Sequence, residues 1–583
     1  MKLDTLDWIL ILSFFVIFLI IGLVVAKRSG KNTSEFFLSG RNMPWWLLGI
    51  SMVATTFSAD TPNLVTDIVR QNGVSGNWVW WTFLITGMLT VFVYAKLWRR
   101  SKVLTDLQFY ELRYSGKEAA FLRGFRAIYL GVFFNVMIMA SVCLAAIKIG
   151  GIMFGLAPWE CVLYASVITV AYSSIGGLRG VIFTDFLQFI VAMIGSVWAA
   201  YYIVNMPEIG GLQNLLAHEN VTDKLNFLPD FNDTKSLMVL LIIPIAVQWW
   251  SVWYPGAEPG GGGYIAQRML SAKDEKNAIG ATLLFNVAHY ALRPWPWIII
   301  ALASLVLYPQ LSDIGAEFPN AVLGHDLGYS AMLTNLPAGL LGLVVASLIA
   351  AFMSTISTHL NWGSSYISLD FYKRFIKPEA TEKELVHIGR LSTIVLMVLA
   401  AALALLLSSA LSTFEILLQI GAGTGLIFIL RWFWWRVNAY SEIAGMIVSF
   451  IVALTFEFTD LGLEGHEKLI YGVAITTVSW IAVTLLTRPT NTKTLANFYN
   501  SVTPYGMGWK PFKEKAQSEN ISLKTTHDVF TVDLASMLLG ILFVYTSLFG
   551  TGYIIYGNYT GAAILLGIAI LSAILIFKLW KRK

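Results

Sequence analysis

The chain has 583 residues, of which 56% are hydrophobic and only 13% are charged. Soluble globular chains carry about 25% charged residues, so this composition excludes a water-soluble domain and places the chain in a bilayer. The formal net charge of +5 calls for no nucleic-acid partner, and the basic residues are expected on one face of the membrane.

Apolar runs of about 20 residues recur along the whole length, each long enough to cross a bilayer as a helix. The alternating segments of about 10 residues that mark a membrane β-barrel are missing. The pattern predicts an all-α polytopic membrane protein of about fifteen transmembrane spans. The first apolar run, Trp8 to Ala26, is followed by Lys27, Arg28 and Lys31. A basic flank on that side is opposite to a signal peptide, so the run is read as a retained span with the N-terminus outside. Further spans are predicted at 44–68, 77–98, 122–153, 157–177, 181–204, 237–264, 276–310, 331–372, 386–409, 412–431, 441–457, 467–487, 531–553 and 558–578. Cys143 and Cys161 lie in apolar segments and read as small packing residues.

With the N-terminus outside, the connections alternate. Of the 40 lysines and arginines, only Lys2, Arg70, Lys148, Lys224, Lys235, Arg293 and Lys468 fall off the cytoplasmic side. That bias follows the positive-inside rule. It predicts a plasma-membrane protein (an inner-membrane one in a bacterium) with a cytoplasmic C-terminus. Residues 488–530 form its longest inside segment, expected to pack beneath the bundle.

Two spans are interrupted. The second carries Thr55, Thr56, Ser58, Asp60, Thr61, Pro62 and Asn63 within nine positions, and the seventh runs into "WYPGAEPGGGGYIAQR". Free peptide groups cost several kcal/mol each in hydrocarbon, so irregular backbone there must line a cavity or bind something. The breaks occupy corresponding places in two five-span units, 44–204 and 237–431. An odd number of spans inverts the second unit, which is the inverted-repeat pattern of secondary transporters. Glu258, in the second break, either binds a cation or substrate hydroxyl, pairs with an arginine such as Arg293, or sits in a loop at the inner mouth.

The ninth span carries Ser354, Thr355, Ser357 and Thr358 within five residues, and helical geometry puts 354 and 358 on one face. Hard cations take oxygen ligands, although such hydroxyls also serve helix packing. Asp185, with Gln188, lies at the start of the sixth span. A carboxylate within a span is costly and usually functional, while one at a helix start is also favoured by the dipole. No nucleophile–base pair or metal motif appears, and His289 and His359 are the histidines within spans, so no enzyme is expected.

At this point "FFLSGRNMPWW", "ISMVATTFSADT", "GGLRGVIFTDFLQ", "YIAQRMLSAKD" and "AAFMSTISTHLN…SLDFYKRF" together make the chain resemble the sodium:solute symporter family, which includes sodium–glucose, proline and sialic acid carriers. The resemblance implies a LeuT-like five-plus-five inverted-repeat core with flanking helices. It also implies sodium-coupled alternating access for a small organic solute, with a sugar or sugar derivative favoured over an amino acid or carboxylate. It implies a first sodium site of the Ala54, Phe57 and Ala351 carbonyls with the Ser354 and Thr355 hydroxyls. A second sodium would use Asp185 with Ser354, Ser357 and Thr358, giving one or two ions. The substrate is expected between Ser58, Thr61, Trp80, Asn135, Trp253, Glu258 and Gln419.

The sugar carriers' glutamine and glutamate are replaced here by Thr61 and Trp80, the proline carriers' acid by Thr56, and the sialic acid carriers' arginine has no clear match beyond nearby Asn135. The expected units are a flanking span (1–36), the first repeat (37–204), an outer loop (205–236), the second repeat (237–432), flanking spans (433–487), a cytoplasmic segment (488–530) and terminal spans (531–583), functioning as a monomer. A sodium-bound sensor on the same fold would normally carry a signalling domain, and 488–530 is too short for one.

Overall fold

The computed structural model describes residues 3–29, 32–252, 258–319, 323–407, 421, 423–459, 461–525 and 528–581. Every extended element among them is a helix, with one isolated bridge joining Met43 to Ala272. In chain order the apolar elements are α1 (Thr5–Ser29), α2 (Trp45–Thr56), α3 (Asp60–Asn72), α4 (Val74–Ser101), α5 (Lys117–Phe154), α6 (Pro158–Val204), α7 (Thr234–Ala246) and α8 (Gly263–Ser271). They continue with α9 (Glu275–Leu307), α10 (Leu340–Ile376), α11 (Glu382–Ala404), α12 (Gly425–Phe433), α13 (Ala439–Phe458), α14 (Gly465–Leu486), α15 (Phe530–Ile555) and α16 (Tyr559–Lys581). Ten of these helices are long and apolar enough to cross a bilayer on their own.

The 47 residues of α6 would run roughly 70 Å if straight, far more than a hydrocarbon core of about 30 Å. The run turns at Gly177, whose φ of 56° and ψ of −170° belong to no helix. Glycine takes that conformation without a Cβ clash. The two spans predicted at 157–177 and 181–204 are therefore joined at this corner.

Both predicted interruptions are present, but not with the same extent. The first is short: α2 ends at Thr56, Phe57 leaves the helical region (φ −92°, ψ 85°), and α3 begins at Asp60. The second begins earlier than the glycine run suggested. Pro244 lacks a donor and crowds the preceding turn. Met238–Ile242, just ahead of it, widens into a π-turn, α7 stops at Ala246, and among the described residues the chain is next α-helical at Gly263, with a 3₁₀ turn at Gln248–Trp250 between. Residues 253–257, including Trp253, lie outside the described residues.

The backbone groups freed by this break are satisfied largely by α4. Thr82 Oγ1 donates to the Pro244 carbonyl at 2.9 Å, Thr86 Oγ1 to the Trp249 carbonyl, and Gln248 Nε2 returns a bond to the Val79 carbonyl at 2.7 Å. Val252 N–H donates to the Gly421 carbonyl at 3.3 Å. Interrupted α2/α3 and α7/α8 thus hold the same rank in the two halves of a five-plus-five inverted repeat, with α1 and α13–α16 flanking the core.

Residues 488–525 pack against one end of this bundle. Trp509 Nε1 donates to the Trp432 carbonyl at 2.7 Å, and the Arg113 guanidinium lies 5.0 Å from the Trp509 ring. Tyr505 and Lys96 both bond Asp533 at 2.7 Å, tying this segment and α15 to α4.

The second break also depends on close backbone approach. A Cβ at Gly425 would collide with the Trp250 carbonyl. Overpacking of this kind costs about 1–3 kcal/mol, so Gly425→Ala is expected to lower the thermal melting temperature of the detergent-purified protein. An unchanged melt would show that this contact is slack.

Candidate functional site

Between α2/α3, α4, α5, α9 and α10 lies a cavity of about 340 Å³. Its floor is the first interruption: Thr55, Thr56, Ser58, Asp60 and Thr61, with Thr355 of α10 beside them. Trp80, Tyr264, His289, Tyr290 and Arg293 form the wall, and Gln71, Lys148, His325 and Asp326 lie toward the opening. Lys148 and Asp326 form an ion pair of 2.7 Å there. The polar residues of α3 face this space because its opposite side, including Val69, is buried in the apolar core.

At the floor, α2 and α10 touch through oxygen atoms. Thr355 Oγ1 donates to the Thr55 carbonyl at 2.9 Å, and Phe57 N–H donates back to the Val53 and Ala54 carbonyls. Ala54, Phe57, Ala351, Ser354 and Thr355 are all buried. The interrupted helix and α10 therefore meet here through a carbonyl and a hydroxyl oxygen, the atom type that hard cations take as ligand.

Behind Ser354 is a second polar group, where the structure adds a residue that sequence reasoning missed. Asp185 accepts from Ser51 Oγ and Ser354 Oγ, each at 2.5 Å. Arg268 of α8 reaches into the same space. Its Nη2 lies 3.5 Å from Asp185, 2.9 Å from Thr358 Oγ1 and 3.1 Å from Thr55 Oγ1, while Nε donates to Ser51 Oγ at 3.1 Å. Ser357 Oγ instead donates to the Ser354 carbonyl of its own helix at 3.1 Å. Of the four groups expected around a second ion, Asp185 and Thr358 thus contact a guanidinium. Arg268 stood in "YIAQRMLSAKD" as a motif residue, and its place within the membrane region was the available signal.

Other expected substrate residues separate. Ser58, Thr61 and Trp80 line the cavity. Asn135 does not: its Nδ2 donates to the His359 carbonyl at 2.9 Å, and its Oδ1 meets His359 Nδ1 at 2.5 Å. Glu258 is also elsewhere. It contacts Arg126 of α5 and lies 3.0 Å from Arg431 of α12, with Glu442 of α13 3.5 Å from Arg431. The suggested pairing of Glu258 with Arg293 is therefore corrected to Arg126 and Arg431. Arg126 and Lys148 lie 22 residues apart on α5, roughly 33 Å along a helix, so the Glu258 cluster sits at the end opposite the cavity's opening. Trp253 and Gln419 fall outside the described residues.

An all-helical membrane bundle with paired interruptions, a central polar cavity and an oxygen-lined floor defines a cation-coupled carrier. The sequence profile of the sodium:solute symporter family matches residues 36–449, and the chain belongs to that family. It is a multi-pass membrane transporter that couples solute movement to sodium, and it is not an enzyme.

Among curated relatives, it is 25% identical to the sodium/glucose cotransporter of Vibrio parahaemolyticus, over 80% of this chain and 87% of that one. It is 27% identical to the sodium/myo-inositol cotransporter of Bos taurus, over 78% and 68%. It is 25% identical to the sodium/sialic acid symporter of Proteus mirabilis, over 81% and 94%. Among solved structures, a substrate-bound, outward-open sodium-coupled sialic acid symporter superposes with a TM-score of 0.67 at 20% identity, covering 84% of this chain and 99% of that one.

Arg268 and Asp185 are each fully buried. Removing one partner of a buried pair costs about 3–5 kcal/mol. Arg268→Ala is expected to destabilise the purified protein by that order in a thermal or denaturant melt. Arg268→Ala combined with Asp185→Asn is expected to recover part of the loss. Additive losses in the double variant would refute the coupling.

Proposed function

We propose that this carrier moves a sugar-type solute inward with one sodium ion per cycle, working as a monomer in the plasma membrane. In this reading the N-terminus is outside, the C-terminus is cytoplasmic, and the cavity faces outward. The observation that carries it is the meeting of the cavity floor with the Thr355–Thr55 contact. A cation bound at the carbonyls of Ala54, Phe57 and Ala351 and the hydroxyls of Ser354 and Thr355 would brace α2 against α10. It would thereby hold Ser58, Asp60 and Thr61 in place for the solute.

Substrate class is supported by the relatives, whose names give glucose, myo-inositol and sialic acid. The cavity wall adds a flat surface, since Trp80 and Tyr290 stack with centroids 5.8 Å apart and planes 20° apart. Such faces suit the C–H side of a pyranose.

A single ion is supported by Arg268. A cation placed among Asp185, Ser51, Thr55 and Thr358 would meet a guanidinium already bonded to those groups. Two positive charges in so small a buried volume repel strongly. The outward direction is supported by charge placement, because Lys148 at the opening is among the few basic residues off the heavily basic face. The voltage across the membrane then contributes about 2.3 kcal/mol per 100 mV for each ion carried.

Proteoliposomes loaded with purified protein test this reading. Solute uptake is expected to rise with sodium along a curve of Hill coefficient about one, and Thr355→Ala is expected to raise the half-activating sodium concentration about tenfold, a loss of about 1.4 kcal/mol in binding. A Hill coefficient near two would reject the single ion, and unchanged sodium dependence in Thr355→Ala would reject the site.

A further inference from the structure

Arg293 is 2% exposed and lines the cavity. Its Nη1 donates to Thr56 Oγ1 at 3.2 Å and to the Val53 carbonyl at 3.4 Å, and its Nη2 lies 3.4 Å from His289 Nε2. His289 Nδ1 lies 3.1 Å from Thr56 Oγ1, so donation from Arg293 assigns the proton to Nδ1 and closes a ring of three side chains. This ring holds the guanidinium in place but supplies only neutral partners. The Nε–H has no hydrogen-bond partner, and no ion pair joins Arg293 to a carboxylate among the described residues. Lys148, the other permanently basic residue lining the cavity, is already paired with Asp326. A buried charge without a counter-charge is costly. The cavity therefore contains a fixed cation with an open donor and no carboxylate in direct contact among the described residues, Asp60 of the same cavity acting on it only from a longer range.

The floor also carries groups complementary to hydroxyls. Asn63 is 3% exposed, lines the cavity, and has no partner for either amide atom. Asp60 and Thr61 lie beside it at the start of α3, and the Trp80–Tyr290 pair provides the flat wall. Carboxylates and amides bind vicinal hydroxyls by two hydrogen bonds at once.

We infer that the carried solute is a sugar acid, a pyranose or its open form bearing a carboxylate, with Arg293 taking the carboxylate and Asp60 and Asn63 the hydroxyls. This inference rests on the symport reading above and narrows its substrate class. A neutral sugar would leave the guanidinium buried without a direct counter-ion and its Nε–H unpaired when the cavity closes, which is the strong form of discrimination by an unpaired polar group. An amino acid would use Arg293 and Asp60 but would leave Asn63 and the aromatic wall without partners.

Full-length protein in proteoliposomes, under an inward sodium gradient, is tested with radiolabelled D-glucuronate, D-glucose and L-proline, and with D-glucuronamide as a neutral competitor. Glucuronate is expected to accumulate, and glucuronamide and glucose to compete roughly 10- to 100-fold less well, as expected for loss of charge-assisted hydrogen bonds. This comparison needs no variant. Arg293→Gln is expected to lose that preference while keeping the sodium-dependent rise in melting temperature that reports a folded, sodium-binding protein. Arg293→Lys should fall between Arg293→Gln and the native chain.

Equal or better uptake of glucose or proline, effective competition by glucuronamide, or unaltered glucuronate uptake in folded Arg293→Gln would each overturn the inference. So would a native protein whose melt responds to sodium but which shows no glucuronate uptake. If sodium neither shifts the melt nor drives uptake of any of the three solutes, the symport reading itself fails.

Discussion

The organisation of this molecule follows from the rule that peptide groups inside a bilayer must find partners. Two helices are cut, and each cut exposes carbonyl and amide groups where no water is guaranteed. Around the second break, α4 provides Thr82 and Thr86 as donors and the Val79 carbonyl as acceptor, while Gly421 and Gly425 let α12 approach the strand-like chain at Trp250–Val252. Around the first break, the threonines of α2, α3 and α10 do this work. The same oxygen atoms are then available to a cation and a solute. Binding capacity here is a by-product of solving a hydrogen-bonding problem.

Two arginines show how strongly local partners decide the meaning of an intramembrane charge. Arg268 is enclosed by Asp185 and three hydroxyls, so its charge is answered within the protein. Arg293 is held by a threonine, a carbonyl and an imidazole, so no carboxylate among the described residues touches it and Asp60 answers its charge only from a longer range. The first ties α8 to α2, α6 and α10 and helps fix the bundle. The second faces an empty space with its geometry already set. Both are buried guanidinium groups, and burial alone would not separate a structural role from a recognition role.

The helical class, the spans that fall on described residues and the first interruption were legible in the sequence because they rest on local properties: apolar run length, and polar residues crowded into an otherwise apolar span; the span predicted at 412–431 lies largely outside the described residues. The length of the second interruption was not, because the dense breakers lie at Pro255–Gly263 while the helix that carries Pro244 stops at Ala246. Glu258 was drawn toward Arg293 because both read as unmatched intramembrane charges. Which arginine meets which carboxylate depends on how distant helices are stacked, and Arg126 and Arg431 come from remote parts of the chain. Asp60, Asn63, His289 and Arg293 were visible as residues, and Arg293 stood out as an exception to the charge alternation. Their convergence on one cavity is a tertiary fact that periodicity does not contain.

The plug at the far end is made of Glu258, Arg126, Arg431 and Glu442 rather than of greasy side chains. Water entering an apolar plug has to wet oily surface, and that resists opening. Water entering this one finds carboxylates and guanidinium groups that hydrate well once they separate, so much of the attraction lost on parting is returned by solvent. Such a stopper holds firmly when dry yet loosens readily as it becomes wet, a useful property in a carrier that must open and close each end in turn.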